Sequence, residues 1–191
     1  CDAACVNPAI YAEFSKEMET DYFSTDHIKL YTCDDALCAQ GEMTEKTVTV
    51  TTVSSTKLSL VLPLTSPLSA DTYYRVWIDG DITSALGVSL SDSGSNYGGE
   101  ENLFFEDDYS WIFKTKTSSA YCSIDRIDID PVEAIATQIG QRQSFEAIPY
   151  GAPDDCDVSG QALQQSDYTW NLWTSLDDPD TFISDDGGTT S

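Results

Sequence analysis

Through the run Lys46 to Val53 (KTVTVTTV), valines alternate with threonines, and a two-residue period of this kind restricts the chain to a narrow set of folds. Successive side chains on an extended backbone point to opposite faces, so the alternation describes a strand with one buried and one wet side. Related runs recur along the chain: Ala9 to Phe14 (AIYAEF), His27 to Thr32 (HIKLYT), Lys57 to Leu62 (KLSLVL), Thr72 to Ile78 (TYYRVWI) and Tyr109 to Thr115 (YSWIFKT). Further on come Ser123 to Val132, Gln143 to Ile148 and Tyr168 to Thr174. Sustained 3.6-residue patterns are nearly absent, so the expected fold class is all-β.

Turn chemistry separates these runs. Ser15 to Glu19 reads as a turn whose Met18 tucks into the core. Pro63 and Pro67 mark a second break, and Asp79-Gly80 ends the strongest strand of the chain, Thr72 to Ile78. Ser84 to Asp107 carries Gly87, Gly94, Gly98 and Gly99 and reads as a long loop with Tyr97, Leu103, Phe104 and Phe105 embedded in it. Lys116 to Ala120 (KTSSA) is a polar linker, after which the pattern starts afresh. The chain of 191 residues is longer than one small sandwich needs. The expectation is two modules in tandem, 1–118 and 119–191, each with its own core.

Nine basic against 33 acidic residues give a net charge of −24. Seven bases face nineteen acids up to Ala120, and two face fourteen beyond it, so each part carries −12 and the second is the denser. Such a field repels phosphate backbones and anionic membrane surfaces, which excludes nucleic acid as a natural partner. No stretch approaches the roughly 20 apolar residues of a membrane-spanning helix. A solvated, acidic surface is the plain reading of the charge.

Six cysteines, Cys1, Cys5, Cys33, Cys38, Cys122 and Cys156, accompany a single histidine, and no CxxC occurs. Metal-thiolate sites therefore lack partners, and disulfides in an oxidising, extracellular or cell-surface compartment are expected. Locality favours Cys33 with Cys38 around a tight turn, Cys122 with Cys156 inside the second module, and Cys1 with Cys5. A chain starting at cysteine also fits a mature lipoprotein acylated on Cys1, as it fits a chain cut at that point.

The segments AEFSKEM (from Ala12), HIKL (from His27), TKLSLVLPLTSPLSADTYYRVWIDGDI (from Thr56) and DYSWIFKT (from Asp108) together resemble the bacterial Ig-like domain of surface and S-layer proteins. That pattern runs from an FSxxM turn through an apolar strand with proline and an LxxxTY strand to a terminal WxFxT, and it covers nearly all of residues 6–117. The chain departs from it at the Cys33–Cys38 insert and in the stretched loop before Asp107. From Tyr121, SIDRIDIDPV, QSFEAI and YTWNLWT look like the opening half of a second domain of this kind, with the chain stopping at an acidic glycine turn where further strands would follow. The resemblance implies two immunoglobulin-like sandwiches, the second partial. It implies a fold and leaves function open.

Candidate chemistry is sparse. His27, the one histidine, precedes a strand beside Asp26 and reads as a structural residue. No GxSxG, HExxH, Walker or GxGxxG motif is present, and the abundance of carboxylates keeps any pair from standing out as acid and base. The expectation is a chain without catalytic residues. Calcium is the one cofactor worth weighing: the acidic loop Asp177, Asp178, Asp180, Asp185 and Asp186, and secondly Asp79 with Asp81, supply hard oxygen ligands, although none fits EF-hand spacing. In the strand around Asp125 to Asp130, Ile124, Ile127 and Ile129 fail to alternate cleanly with the acids, and a bulge near Arg126 would restore the pattern, leaving the aspartates to solvent. Trp111 and Trp170 read as core, while Trp173 and Trp170 point to opposite faces. Tyr97, Phe104 and Phe105 either pack their loop onto the sandwich or form a contact patch.

These features point to a structural or interaction module of a surface protein, a rigid spacer or assembly unit that meets other protein domains or subunits. The alternatives are an adhesin or carbohydrate-binding module that meets surface glycans through loop 87–108, a filament subunit completed by strand donation, and an accessory domain of a secreted hydrolase.

Overall fold

The computed structural model describes residues 3–39, 41–63, 65–90, 108–130, 146–153 and 157–164. Within them the chain forms β1 (Ile10–Glu13), β2 (Ile28–Cys33), β3 (Met43–Lys46), β4 (Thr49–Ser54), β5 (Lys57–Val61), β6 (Tyr73–Ile78), β7 (Tyr109–Lys114), β8 (Ile124–Asp130) and β9 (Glu146–Gly151). A single 3₁₀ turn, Thr20–Tyr22, is the helical element among the described residues. The all-β expectation holds.

Two antiparallel sheets, in the orders β1-β5-β4 and β3-β2-β6-β7, pack together between residues 10 and 114. Their facing sides share one core: Ile10 and Ala12 from β1 and Leu58 and Leu60 from β5 meet Ile28 and Leu30 from β2, Tyr74, Val76 and Ile78 from β6, and Phe113 from β7. The pleat selects these residues. Leu58 and Leu60 are buried while Lys57, Ser59 and Val61 between and beside them are not. Each such aliphatic side chain contributes about 1.5–3 kcal/mol on leaving water. Met18 is buried as anticipated; its N–H donates to the Ser55 carbonyl at 2.8 Å, and Phe14 stacks on Phe23 at 5.6 Å to close the same end.

β6 lies between β2 and β7, which explains why it has the strongest β signature in the chain. Tyr74 stacks on Phe113 at 5.6 Å, and its hydroxyl oxygen accepts the Ser69 N–H at 2.8 Å. Buried Thr115 donates its hydroxyl to the Ser69 carbonyl at 2.6 Å and accepts the Thr72 N–H at 3.0 Å. The approach to β6 is thus held by two side chains in addition to the backbone bonds from the Thr115 N–H to the Thr72 carbonyl and from the Asp71 N–H to the Lys116 carbonyl. Tyr74→Phe is expected to lower the urea midpoint by about 1 kcal/mol of stability, the worth of one hydrogen bond, with the core otherwise intact.

The run Lys46 to Val53, read as one strand, is divided. β3 ends at Lys46 and pairs with β2, and β4 begins at Thr49 and pairs with β5 in the opposite sheet. The chain crosses between sheets at Thr47 and Val48, where Val48 drops into the core at 9% exposure. The valine–threonine alternation continues across the crossing and so conceals it.

Cys33 and Cys38 are joined, with Cα atoms 5.0 Å apart. Asp35 shapes the turn, its Oδ1 accepting the N–H groups of Leu37 at 2.8 Å and Cys38 at 3.2 Å. The start of the loop after Ile82 is a small hairpin: Thr83 pairs with Ser89, and Gly87 adopts φ +75° at its tip.

β8 and β9 form a separate two-stranded antiparallel sheet whose register shifts between Ile124 and Arg126, at the anticipated bulge. Asp125 and Asp128 face solvent. The bulge does not give the strand a buried face, however: Ile124, Ile127 and Ile129 are 46%, 48% and 46% exposed.

Candidate functional site

The chemistry-bearing residues of the two packed sheets gather at one end of β6 and β7. His27, one residue before β2, places its Nδ1 2.8 Å from Asp79 Oδ2 and sets its ring edge-on to Tyr22 at 5.1 Å. The other carboxylate oxygen of Asp79 accepts the Asp81 N–H at 2.9 Å. Asp108 accepts the Trp77 indole N–H and the Gly80 N–H, both at 2.8 Å. The carboxylates of Asp79 and Asp108 thus fasten the turn at the exit of β6, and Asp81 joins them through its backbone N–H. Among the described residues no group of three or more His, Cys, Asp or Glu side chains is placed to hold a metal ion. Trp111 packs partly buried against the core, as the sequence suggested.

The acidic loop Asp177, Asp178, Asp180, Asp185 and Asp186 lies outside the described residues, as do the loop aromatics Tyr97, Phe104 and Phe105 and the pair Trp170 and Trp173. Cys1 and Cys156 do also.

A second constellation, which the sequence did not disclose, joins the two parts of the chain. Cys5 is bonded to Cys122 across 117 residues, with Cα atoms 5.7 Å apart. A cysteine forms one disulfide, so this bond replaces both expected pairings, Cys1 with Cys5 and Cys122 with Cys156. The reason lies in the backbone. Ala4 pairs in parallel with Thr115, its N–H donating to the Lys114 carbonyl and its carbonyl accepting the Lys116 N–H, each at 2.9 Å. The N-terminal segment and the exit of β7 therefore leave the sandwich side by side, and Cys5 and Cys122 follow from the same end. Proximity in sequence is overridden by a ladder that brings the two ends together.

Around this bond residues 161–164 form a shared ladder. On one edge the Ala162 carbonyl accepts the Ala9 N–H and the Gln164 N–H donates to the Asn7 carbonyl, both at 2.9 Å. On the other, Gly151 N–H donates to the Gln161 carbonyl at 2.9 Å and Leu163 N–H to the Pro149 carbonyl at 2.8 Å. Leu163, at 3% exposure, is buried between the parts. Three side-chain amides complete the junction. Gln161 Oε1 accepts the Cys5 N–H, Asn7 Oδ1 accepts the Cys122 N–H and Gln164 Oε1 accepts the Leu62 N–H, all at 2.9 Å. The Gln164 amide nitrogen also donates to the Leu62 carbonyl, so this side chain imitates a strand beside the end of β5. The start of the expected linker belongs to the same construction: Lys116 donates its N–H to Ala4 and its carbonyl accepts the Asp71 N–H at 2.8 Å.

The turn preceding the ladder is equally specific. Gly160 has φ +84°, and a Cβ built there would lie 2.1 Å from the Gly151 carbonyl oxygen. Arg126 stacks its guanidinium 4.0 Å above the Tyr150 ring and donates to the Ser159 carbonyl, holding the turn against the β8–β9 sheet. Gln164→Leu keeps the volume and removes both amide contacts. Leaving the Leu62 N–H and carbonyl without them is expected to cost about 1–3 kcal/mol, read as a fall in the denaturation midpoint.

Neither the family models nor the curated proteins contain a match to this chain.

Proposed function

We propose that the chain is a non-catalytic, rigid two-module element of an extracellular or cell-surface protein, setting the distance and angle between whatever it joins. The observation that carries this reading is the junction. A disulfide, a two-sided backbone ladder and three amide contacts fix the second part to the first, where a tether of two independent domains needs none of them. Inter-domain surfaces without such fixation leave relative motion as the default. Disulfides persist in oxidising compartments, which supports the extracellular placement. Among the described residues no helix is long and apolar enough to cross a membrane.

The first module supports the bacterial Ig-like resemblance in three ways. Its strand order, β1-β5-β4 against β3-β2-β6-β7, is that of an immunoglobulin-type Greek key in which β6 and β7 close the larger sheet. Tyr74 near the start of β6 bonds back to backbone five residues upstream, the arrangement of a tyrosine corner. The parallel Ala4–Thr115 bridge adds the N-terminal segment to the last strand.

Nitrogen-15 relaxation of the oxidised protein tests the reading. Amides of β2 and β6 and amides of β8 and β9 are expected to report one common rotational correlation time. Two distinct times would show modules that tumble separately and would remove the basis for a spacer.

A further inference from the structure

We propose that the chain is a tension-carrying link, in which the Cys5–Cys122 bond straps the two packed sheets and conducts a pull past them. The proposal rests on the reading of the chain as a rigid element joining other parts, and adds the force that the element withstands.

The covalent topology carries the argument. All seven strands from Ile10 to Lys114 lie between Cys5 and Cys122, whose Cα atoms are 5.7 Å apart. The bond therefore joins the entry of the packed sheets to their exit. A pull applied before Cys5 and after Cys122 travels through the two sulfurs and leaves the residues between them unloaded. Cys33–Cys38 has no such effect, since it closes a turn inside that stretch.

The backbone beside the bond suits the same direction of load. Ala4 and Thr115 pair in parallel, so the segment entering at Ala4 and the segment leaving at Thr115 run the same way. Drawing one back and the other forward slides them along each other. That motion loads together the bonds from the Ala4 N–H to the Lys114 carbonyl and from the Lys116 N–H to the Ala4 carbonyl, each 2.9 Å. Bonds loaded together share the force, whereas bonds peeled from one end break one at a time. The strap keeps the two segments from sliding. Each of its cysteines is also fixed through its backbone, the Cys5 N–H by Gln161 Oε1 and the Cys122 N–H by Asn7 Oδ1, both at 2.9 Å. Cys5 is buried at 2% exposure, which shields the bond from thiols in solution.

The extensible part lies outside the strap. Residues 161–164 follow Cys122 and are held to Asn7 and Ala9 by backbone bonds, so a pull lengthens the molecule by detaching this ladder while the packed sheets stay closed. Full extension supplies at most roughly 3.3–3.6 Å per residue. The residues before Cys5 and after Cys122 together then reach about 260 Å, and the stretch between the cysteines holds back about 400 Å more.

The test is constant-force stretching of the oxidised 191-residue chain between handles fused to its two ends. Its extension is expected to stop at about 260 Å, and the variant with both Cys5→Ser and Cys122→Ser to pass that limit by about 400 Å. Dithiothreitol added to the stretched parent should release the same length, at a rate that levels off with its concentration because the strapped sheets are still folded and must open first. Extension of the oxidised parent past the limit, or equal extension of parent and variant, would overturn the proposal. So would a release rate that stays proportional to dithiothreitol, which would mean that the strapped sheets had already opened under load. Two rotational correlation times in the relaxation experiment would remove the rigid reading and leave this limit on extension in place, so the two failures are distinct.

Discussion

Replacing Cys5 and Cys122 together by serine is expected to lower stability by about 4–5 kcal/mol, close to the loop-closure entropy that a bridge across 117 residues removes from the unfolded chain. The corresponding change at Cys33 and Cys38, which closes a loop of separation 5, should lower it by about 2 kcal/mol. The difference separates two roles. The long bridge acts on the whole chain, whereas the short one shapes the turn that Asp35 already holds. The folded junction of the double variant keeps its backbone ladder, so amide shifts of Ala9, Leu62 and Leu163 should remain near their native values while the denaturation midpoint falls. Urea titration of the oxidised parent and both double variants reads this directly. An equal, small loss for the two pairs would show that the long bridge does not form.

Gly160→Ala should be nearly as damaging, at roughly 3–5 kcal/mol, although it adds one carbon atom. Two effects act together. The left-handed conformation at φ +84° disfavours any side chain, and the new Cβ would sit 2.1 Å from the Gly151 carbonyl oxygen, which is backbone and cannot swing aside. The turn must move, and the ladder of residues 161–164 begins at its end. Loss of protection at the Ala9 and Gly151 amides should accompany the fall in midpoint. Ser159→Ala, one residue earlier on an exposed side chain, should change stability by less than about 0.5 kcal/mol and serves as the control. A native-like Gly160→Ala protein would mean that the turn and β9 do not approach in solution.

The strands of the two packed sheets were legible because burial on one face writes itself into sequence as a period of two. β1, β5, β6 and β7 fall within the runs that alternation marks, β2 extends one residue past its run to Cys33, and the lapse between Ile124 and Ile127 located the bulge at Arg126. The division between β3 and β4 was not legible, since Val48 keeps the alternation while the chain changes sheets. The junction was hidden for a different reason. Asn7, Gln161 and Gln164 are polar residues in irregular segments, and nothing local distinguishes an amide that caps a distant N–H from one that faces water. Gly160 was the nearest to a signal, as glycine marks a turn, but the approach of Gly151 that makes it necessary is a tertiary contact. Cysteine spacing misled because it measures distance along the chain, and the parallel pairing of Ala4 with Thr115 brings remote segments to one place.

Tyr31 gives an independent check on the larger sheet. Burial first, then the Glu45 carboxylate, raises its phenol above the ordinary value near 10, against the opposing pull of Lys29. A raised folded value means that the folded state holds the proton more tightly, so the associated stability is present below about pH 10 and is lost as pH rises through the folded value.

The central claim is the covalent junction, and non-reducing proteolysis with peptide mapping by mass spectrometry tests it most directly. The structure predicts a disulfide-linked pair containing Cys5 and Cys122, released to two peptides on reduction. Recovery of Cys5 linked to Cys1, or of Cys122 linked to Cys156, would contradict it and would return the chain to two modules joined by a simple tether.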